Sequence, residues 1–113
     1  MNISGAQWHT ICQAQELIGN TGVCALFNNT QVAIFLCGAS GKLYAVDNFD
    51  PIGKANVLSR GIMGSVGDRP TVASPLYKQR FCLESGECLD DDQWHIKTYP
   101  VRCYQGDIQL GVP

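Results

Sequence analysis

The sequence of 113 residues lacks several features that would assign it to common classes of protein. It contains no window near the roughly 18 consecutive apolar residues of a membrane-spanning helix. Its first residues show no basic segment followed by an apolar run, so we expect a soluble cytoplasmic protein. Charged residues make up only 16% of the chain and the net charge is −2, which gives no electrostatic reason to expect binding to nucleic acid or to a membrane surface. The 45% of hydrophobic residues predicts one globular domain over residues 1–113.

Metal-site spacings are also absent. The six cysteines form no CxxC pair, and no cysteine has a histidine at CxH or CxxH spacing. Without an export signal, a disulfide framework is not expected. Cys24, Cys37 and Cys103 lie in apolar, strand-like runs and are predicted to be small buried hydrophobes. Cys82 and Cys88 flank a turn, and a reversible disulfide between them is the less favoured alternative.

The sequence offers no catalytic motif. No serine has the G-x-S-x-G context of a nucleophile elbow. The segment "GIMGSVGD" has neither the surroundings of a dinucleotide-binding loop nor the lysine of a phosphate-binding loop, so we expect a flexible turn. The two histidines each follow a tryptophan and are interpreted as structural residues. We therefore predict no catalytic residue, no cofactor-binding residue and no metal ligand in this chain.

Short strand-like runs separated by turn residues dominate the chain and predict an all-β fold, a small sandwich or barrel. The only candidate for a helix is a short one at "QAQELI" (13–18). Pro100 interrupts the run 96–104 and indicates an edge or a bulge. Residues 48–70 are rich in Gly, Asn, Asp and Pro, which predicts a long loop that packs through its apolar residues. The runs that predict strands are 22–27, 31–37, 42–47, 71–74, 79–83, 87–89, 96–104 and 107–110.

Basic residues concentrate in one part of the chain. Five of the eight lysines and arginines lie between Pro51 and Arg80, against a single acidic residue there. Such a cluster is either a solvated face or a docking surface for an acidic partner. The predicted docking residues are Lys54, Arg60, Arg69, Lys78 and Arg80.

Two segments together resemble the Rieske-type iron–sulfur fold. "AVDNFDPIGKANVLSRG" is similar to the first cluster-binding loop of that family, which carries C-P-H-x-G. "VASPLYKQRFCLESGECL" is similar to the second, which carries C-P-x-H followed by a phenylalanine and a glycine turn. Phe81 and Gly86 keep the hairpin of the second loop. The resemblance covers about residues 8–110 and implies a Rieske-like domain with two long loops at one tip.

The ligand positions of the family are all changed in this sequence. Asp50 and Ser74 stand at the two cysteine positions, whereas Ile52 and Tyr77 stand at the two histidine positions. A Rieske cluster needs thiolates on one iron and imidazoles on the other. We therefore expect no cluster, and we expect Ile52 and Tyr77 to pack in the space that the cluster would fill. A mononuclear site made by Asp50 and Tyr77 is the weaker alternative.

Within this fold, "DNFDPIGKANVLSRGIMG", "VASPLYKQRFCLESGECLDD" and "YPVRCYQGDIQL" closely resemble the small subunits of assimilatory NAD(P)H-dependent nitrite reductases. That resemblance implies an accessory subunit without a redox centre of its own. It also implies a large subunit that carries FAD, an iron–sulfur cluster and siroheme and that reduces nitrite to ammonium. The alternatives are a Rieske ferredoxin that serves an oxygenase and a free-standing module that binds other proteins. The missing ligands argue against the ferredoxin.

Overall fold

The computed structural model describes residues 7–112 of the chain. These residues form β-strands and two three-residue 3-10 helices, at Ala14–Glu16 and Leu58–Arg60. Residues 1–6 and 113, which the domain prediction includes, lie outside the described residues. The strands are β1 (Gln7–Gln13), β2 (Gly22–Phe27), β3 (Thr30–Leu36), β4 (Leu43–Asp47), β5 (Phe49–Asp50), β6 (Ala55–Asn56), β7 (Ile62–Val66), β8 (Arg69–Ala73), β9 (Arg80–Cys82), β10 (Thr98–Tyr99), β11 (Val101–Tyr104) and β12 (Asp107–Val112).

The strands form three sheets and one short hairpin. The central sheet has the order β10-β4-β3-β2, the terminal sheet β1-β12-β11, and the loop sheet β7-β8-β9, while β5 pairs with β6. Every pairing is antiparallel. The predicted all-β class is therefore confirmed.

The central sheet lies between the two other sheets, and β3 is buried on both of its faces. Ala33 and Phe35 point into a core shared with the loop sheet. Val32 and Ile34 point into a second core shared with the terminal sheet. Because successive side chains of a strand alternate between faces, a strand covered on both sides has to be apolar throughout, as "VAIF" is.

Pro100 marks the point where the chain passes from one sheet to another. Tyr99 pairs with Ala45 in the central sheet, whereas Val101 pairs with Leu110 in the terminal sheet. Proline has no N–H to contribute to a ladder, so a break at this position loses no hydrogen bond. The predicted run 96–104 is therefore two strands, and the expectation of an edge position agrees with β10 at the margin of the central sheet.

The largest difference from the sequence prediction lies in residues 48–70, which are not one long loop. This segment contains the β5–β6 hairpin, the second 3-10 helix and the whole of β7. The hairpin strands are only two residues long, and β7 is exposed along most of its length, so neither shows the apolar alternation that reveals a strand in a sequence. The expected flexible turn at "GIMGSVGD" is thus a strand followed by a tight turn.

Smaller differences occur elsewhere. The predicted helix at 13–18 is a 3-10 helix of three residues, and β1 is a strand that the sequence patterns missed. The predicted strand 87–89 is not regular: Glu87 and Cys88 make isolated bridges, to His95 and Phe81 respectively. The helices of residues 7–112 include none with the length and apolar character needed to cross a membrane.

Candidate functional site

The two loops that resemble cluster-binding loops share one local construction. In the first, Lys54 N–H donates to the Asp50 carbonyl at 2.7 Å; in the second, Lys78 N–H donates to the Ser74 carbonyl at 3.0 Å. Each turn therefore spans five residues, with proline in second place. Lys54 and Lys78 close the turns in the left-handed conformation, with φ of 59° and 64°. The sequence carries a signal of these matching turns, because D-P-I-G-K and S-P-L-Y-K both have proline in second place and lysine in fifth. Comparison with the cluster-binding motifs did not identify it.

A direct hydrogen bond joins the two loops at their first residues. Ser74 Oγ donates to Asp50 Oδ2 at 2.5 Å, and both side chains are buried. The other carboxylate oxygen of Asp50 accepts from the backbone N–H groups of Ile52 and Gly53, at 2.8 and 3.1 Å. A buried carboxylate is stable only when its oxygens are satisfied in this way. The Asp50 side chain therefore shapes its own turn and holds the second loop against it.

The loops also pack against each other through Gly53 and Leu76. A Cβ atom on Gly53 would lie 2.4 Å from Leu76 Cδ1 and 3.0 Å from Asp50 Oδ2. Leu76 from the second loop therefore rests directly on the backbone of the first. A side chain at position 53 would displace Leu76 or crowd the Asp50 carboxylate, so this close approach favours glycine.

Asn48 anchors the first loop to the central sheet, a role that sequence analysis did not assign. Its side chain is buried, donates to Gln31 Oε1 at 3.0 Å and accepts from Ser59 N–H at 2.6 Å. Its backbone carbonyl accepts from the N–H groups of Val57 and Leu58, both at 3.0 Å. The start and the end of the loop thus meet at one residue. The available signal was a polar residue directly after the apolar strand "LYAVD".

The residues at the ligand positions do not fit a [2Fe-2S] cluster. Ile52 has no donor atom, and the oxygens of Asp50 and Ser74 are occupied by each other and by backbone N–H groups. Among residues 7–112, no three side chains of His, Cys, Asp or Glu converge as a metal ion would need. The two positions that carry thiolates in the family are nevertheless in contact, as two ligands of one iron would be.

Tyr77 does not pack in the former cluster space, so this expectation was wrong. Its side chain is 64% exposed, and Leu76 beside it is also exposed. Ile52 is half-buried and packs against the core below the loops, as expected. In the second turn, the Ser74 hydroxyl points inward to Asp50 and Leu76 packs on the first loop. Tyr77 projects from the tip into solvent.

Two of the predicted docking residues are engaged within the chain. Arg80 binds the Asp90 carboxylate through two guanidinium nitrogens, at 2.7 and 3.1 Å, and its backbone N–H donates to the same group. These hydrogen bonds from Arg80 lower the pKa of Asp90. Arg69 pairs with Glu87 at 3.2 Å and also donates to Ser85. Both arginines thus have a local structural role.

The other three predicted docking residues are exposed but lie in two places. Lys54 and Lys78 stand on the paired turns, and neither forms an ion pair with a described carboxylate. Arg60 ends the second 3-10 helix beside β2. Partial burial raises the pKa of the nearby Cys24 thiol, and the positive charge of Arg60 offsets part of this rise. The structure therefore brings together two of the five basic residues at the tip. We call Lys54, Leu76, Tyr77 and Lys78 the tip surface.

The hairpin of the second loop agrees with the sequence prediction. Phe81 is fully buried, and Gly86 has a φ of 83° and donates its N–H to the Cys82 carbonyl at 2.8 Å. Cys88 lies opposite Phe81 in the bridge, so its side chain shares the face of Phe81 and not that of Cys82. Both thiols are free and buried. Contrary to expectation, Cys24 and Cys103 are exposed and Cys37 is only half-buried.

Comparison with known proteins agrees with the geometry. The family model described as "Rieske-like [2Fe-2S] domain" matches residues 7–111. The nitrite reductase (NADH) small subunit of Salmonella typhimurium is 44% identical over 105 residues, which are 93% of this chain and 97% of that protein. The nitrite reductase [NAD(P)H] large subunit of Klebsiella oxytoca is 38% identical over 104 residues, 92% of this chain and 11% of that protein.

Solved structures give the same result. The NMR structure of the Escherichia coli protein NirD superposes with a TM-score of 0.85 and 42% sequence identity, and the match covers 95% of this chain and 97% of that one. Similarity at this level extends from the strands to both loops, because nearly the whole of each chain is included.

Proposed function

Since the chain belongs to the Rieske-like [2Fe-2S] domain family, and within it to the small subunits of NADH-dependent nitrite reductase, we propose that it supports the reduction of nitrite to ammonium without a redox centre of its own. In this role it is an accessory subunit of an oxidoreductase in nitrogen assimilation. It acts in the cytoplasm by binding a large catalytic subunit.

The observation that carries the proposal is the Asp50–Ser74 hydrogen bond. It occupies the positions where the family supplies thiolates, and it satisfies both side chains without a metal. The residues at the ligand positions therefore offer no thiolate or imidazole to hold a cluster that could carry electrons through this domain. We assign FAD, the iron–sulfur cluster and siroheme to the large subunit, together with nitrite binding, as the resemblance to assimilatory nitrite reductases implies.

The proposed partner has independent support from the Klebsiella oxytoca protein, in which a large subunit contains a stretch related to this chain. Two sequences that occur within one polypeptide in one organism and as separate subunits in others are expected to contact each other. We therefore propose that this domain docks on the large siroheme-containing subunit.

The tip surface is the proposed docking site. It combines two exposed apolar side chains, Leu76 and Tyr77, with the charges of Lys54 and Lys78, which form no ion pair with any carboxylate of residues 7–112. Interfaces commonly centre on an aromatic or aliphatic anchor surrounded by charged residues that steer association. The matching surface on the large subunit would be acidic with an apolar pocket. The two turns are held rigidly by the Asp50–Ser74 bond, so little ordering would be needed on binding.

Co-expression with the large subunit tests the proposal. The chain should co-purify with it, and nitrite reduction by NADH should fall when this chain is omitted. Failure of the unmodified chain to co-purify would contradict the accessory role itself.

Substitution of the tip tests the docking surface separately. Lys54→Asn and Lys78→Asn remove charge but keep a residue that tolerates positive φ, so the turns should be retained. Each should weaken binding and reduce its dependence on salt. Lys42→Asn is the matched control. Lys42 is exposed just before the start of β4, whereas the first loop follows the end of that strand. Equal binding of all three variants would locate the contact elsewhere while leaving the accessory role intact.

Iron analysis distinguishes the accessory subunit from a ferredoxin. The purified chain should contain neither stoichiometric iron nor inorganic sulfide, and should show no visible absorption band. A bound cluster with a Rieske-type EPR signal would instead favour the electron carrier.

A further inference from the structure

The edge strand β7 is unusually open for pairing with another strand. It lies at the margin of the loop sheet, and its sequence, "IMGSV", contains no charged residue and no proline. Its register with β8 is regular from Ile62 to Val66, without a bulge. Natural proteins usually protect exposed edges with charge, proline or a bulge, because unpaired backbone groups attract other strands.

The outward-facing backbone groups of β7 can be identified from its partner strand. Leu83 N–H donates to the Pro70 carbonyl at 2.9 Å, so this carbonyl faces β9, and proline has no N–H to offer β7. The Ser65–Pro70 pair is therefore a pair without hydrogen bonds. Because such pairs alternate along an antiparallel ladder, the N–H and C=O groups of Met63 and Ser65 point away from β8.

This outer edge is accessible. It forms one wall of an open groove, whose opposite wall is made by Asn20 and by the turn between β3 and β4 (37–42). The groove continues past Ile62 to Arg60. No strand or helix among residues 7–112 pairs with the outer side of β7, so another strand can reach it.

The edge is complementary to itself. In an antiparallel pair of two copies centred on Gly64, Met63 lies opposite Ser65 of the other copy, and their outward backbone groups exchange hydrogen bonds. The same register places Ile62 opposite Val66. Beyond the strand ends, Arg60, which ends the second 3-10 helix, approaches the turn that carries Asp68 of the other copy, and each relation occurs twice. Ile62 is 74% exposed, the highest value among the large hydrophobic residues described, and it gains a β-branched cross-strand neighbour.

We propose that β7 is a self-association edge, through which two copies of this chain pair antiparallel about a twofold axis at Gly64. The two loop sheets then form one continuous sheet of six strands, β9-β8-β7-β7-β8-β9. The occupant of the groove is a second copy of the chain, because antiparallel self-pairing brings the opposite charges of Arg60 and Asp68 towards each other at both ends of β7. The contact is small, so the dimer forms reversibly and depends on concentration.

Sedimentation equilibrium of the chain alone, over a wide concentration range, tests this inference apart from any binding to the large subunit. The unmodified chain should show a monomer–dimer equilibrium. Arg60→Asp and Asp68→Arg should each weaken dimerisation by about tenfold, since like charges then face each other twice. The double variant carrying both substitutions should restore it. Both positions are exposed, so folding is expected to persist and is checked by thermal melting.

A backbone variant gives a second readout. Ser65→Pro removes an outward N–H without removing a hydrogen bond to β8, and it should abolish dimerisation, whereas Ser65→Ala should not. A chain that stays monomeric at every concentration would overturn the proposal. So would a dimer that persists in Ser65→Pro, or a charge swap that fails to restore association.

Discussion

Ser74 Oγ donates a hydrogen bond of 2.5 Å to Asp50 Oδ2, at the two positions where Rieske domains carry thiolates on one iron. In such domains a metal holds the two loops together, whereas here a hydroxyl and a carboxylate do so. The two loops meet at their first residues although every ligand position is changed. The two turns need one contact between their first residues to stay together. Either shared metal ligation or a hydrogen bond provides it.

Loss of this contact should destabilise the domain. Ser74→Ala leaves one oxygen of the buried Asp50 carboxylate without its donor, and the expected loss is about 1–3 kcal/mol in the free energy of unfolding. Chemical denaturation measures it. Ser65→Ala serves as the control, because Ser65 is exposed. Equal denaturation midpoints for the two variants would show that the bond does not stabilise the fold.

Exposure of Tyr77 predicts that its removal leaves stability almost unchanged. Tyr77→Ala should change the free energy of unfolding by no more than about 0.5 kcal/mol, as for other surface substitutions. Phe81→Ala, in the fully buried core of the same loop, should cost roughly 3–5 kcal/mol. A large loss in the free energy of unfolding of Tyr77→Ala would instead indicate that this side chain is buried. If stability holds but binding to the large subunit falls, Tyr77 is an anchor of the interface.

The left-handed conformation of Lys54 predicts which residues this position accepts. Asparagine tolerates a φ of 59°, so Lys54→Asn should keep the stability of the domain. Lys54→Val should lose on the order of 1 kcal/mol, because a β-branched side chain crowds the backbone at positive φ more than the unbranched lysine does. The comparison is Lys42→Val at an exposed position whose φ is not positive. Similar losses at both positions would argue against strain in the turn.

The bridge register predicts that Cys82 and Cys88 do not form a disulfide in the folded protein. Their side chains lie on opposite faces of the hairpin, so a bond between them would require a shift of the backbone. After mild oxidation, the intact mass and the number of alkylated thiols in denaturant should show both cysteines reduced. A mass lower by two hydrogens, mapped to this pair, would contradict the prediction.

The Arg80–Asp90 pair predicts a contribution to stability that depends on pH. Hydrogen bonds from Arg80 lower the pKa of Asp90 from its ordinary value of 3.8. The folded state therefore binds this proton less readily than the unfolded state. Its contribution is complete above the unfolded pKa and is lost as the pH falls through the folded pKa.

Melting temperatures of the unmodified chain and of Asp90→Asn should accordingly converge as the pH falls from about 6 to about 2. Asp92→Asn is the matched control, since no hydrogen bond or ion pair of Asp92 with a described residue is present. A difference for Asp90→Asn that stays constant over this range would exclude ionisation of Asp90 as its cause.

The sequence by itself determined the all-β class, the loss of the cluster ligands and the family. Short apolar runs bounded by turn residues identify β2, β3, β4 and β12. A strand with one buried face follows the two-residue period, and a strand buried on both faces, such as β3, is apolar throughout. The change of the four ligands is likewise read directly from the sequence, since none of Asp50, Ile52, Ser74 and Tyr77 supplies a thiolate or an imidazole.

Only the tertiary structure decided what replaced the ligands. Asp50 and Ser74 are 24 residues apart in the chain, and nothing local to either indicates that they touch. Arg80 and Tyr77 lie in the same segment, yet Arg80 has an acidic partner and Tyr77 projects into solvent. Likewise, β7 escaped prediction because an edge strand with little burial has no apolar period. Contacts between distant segments depend on how sheets pack, and that information is not contained in any one stretch of sequence.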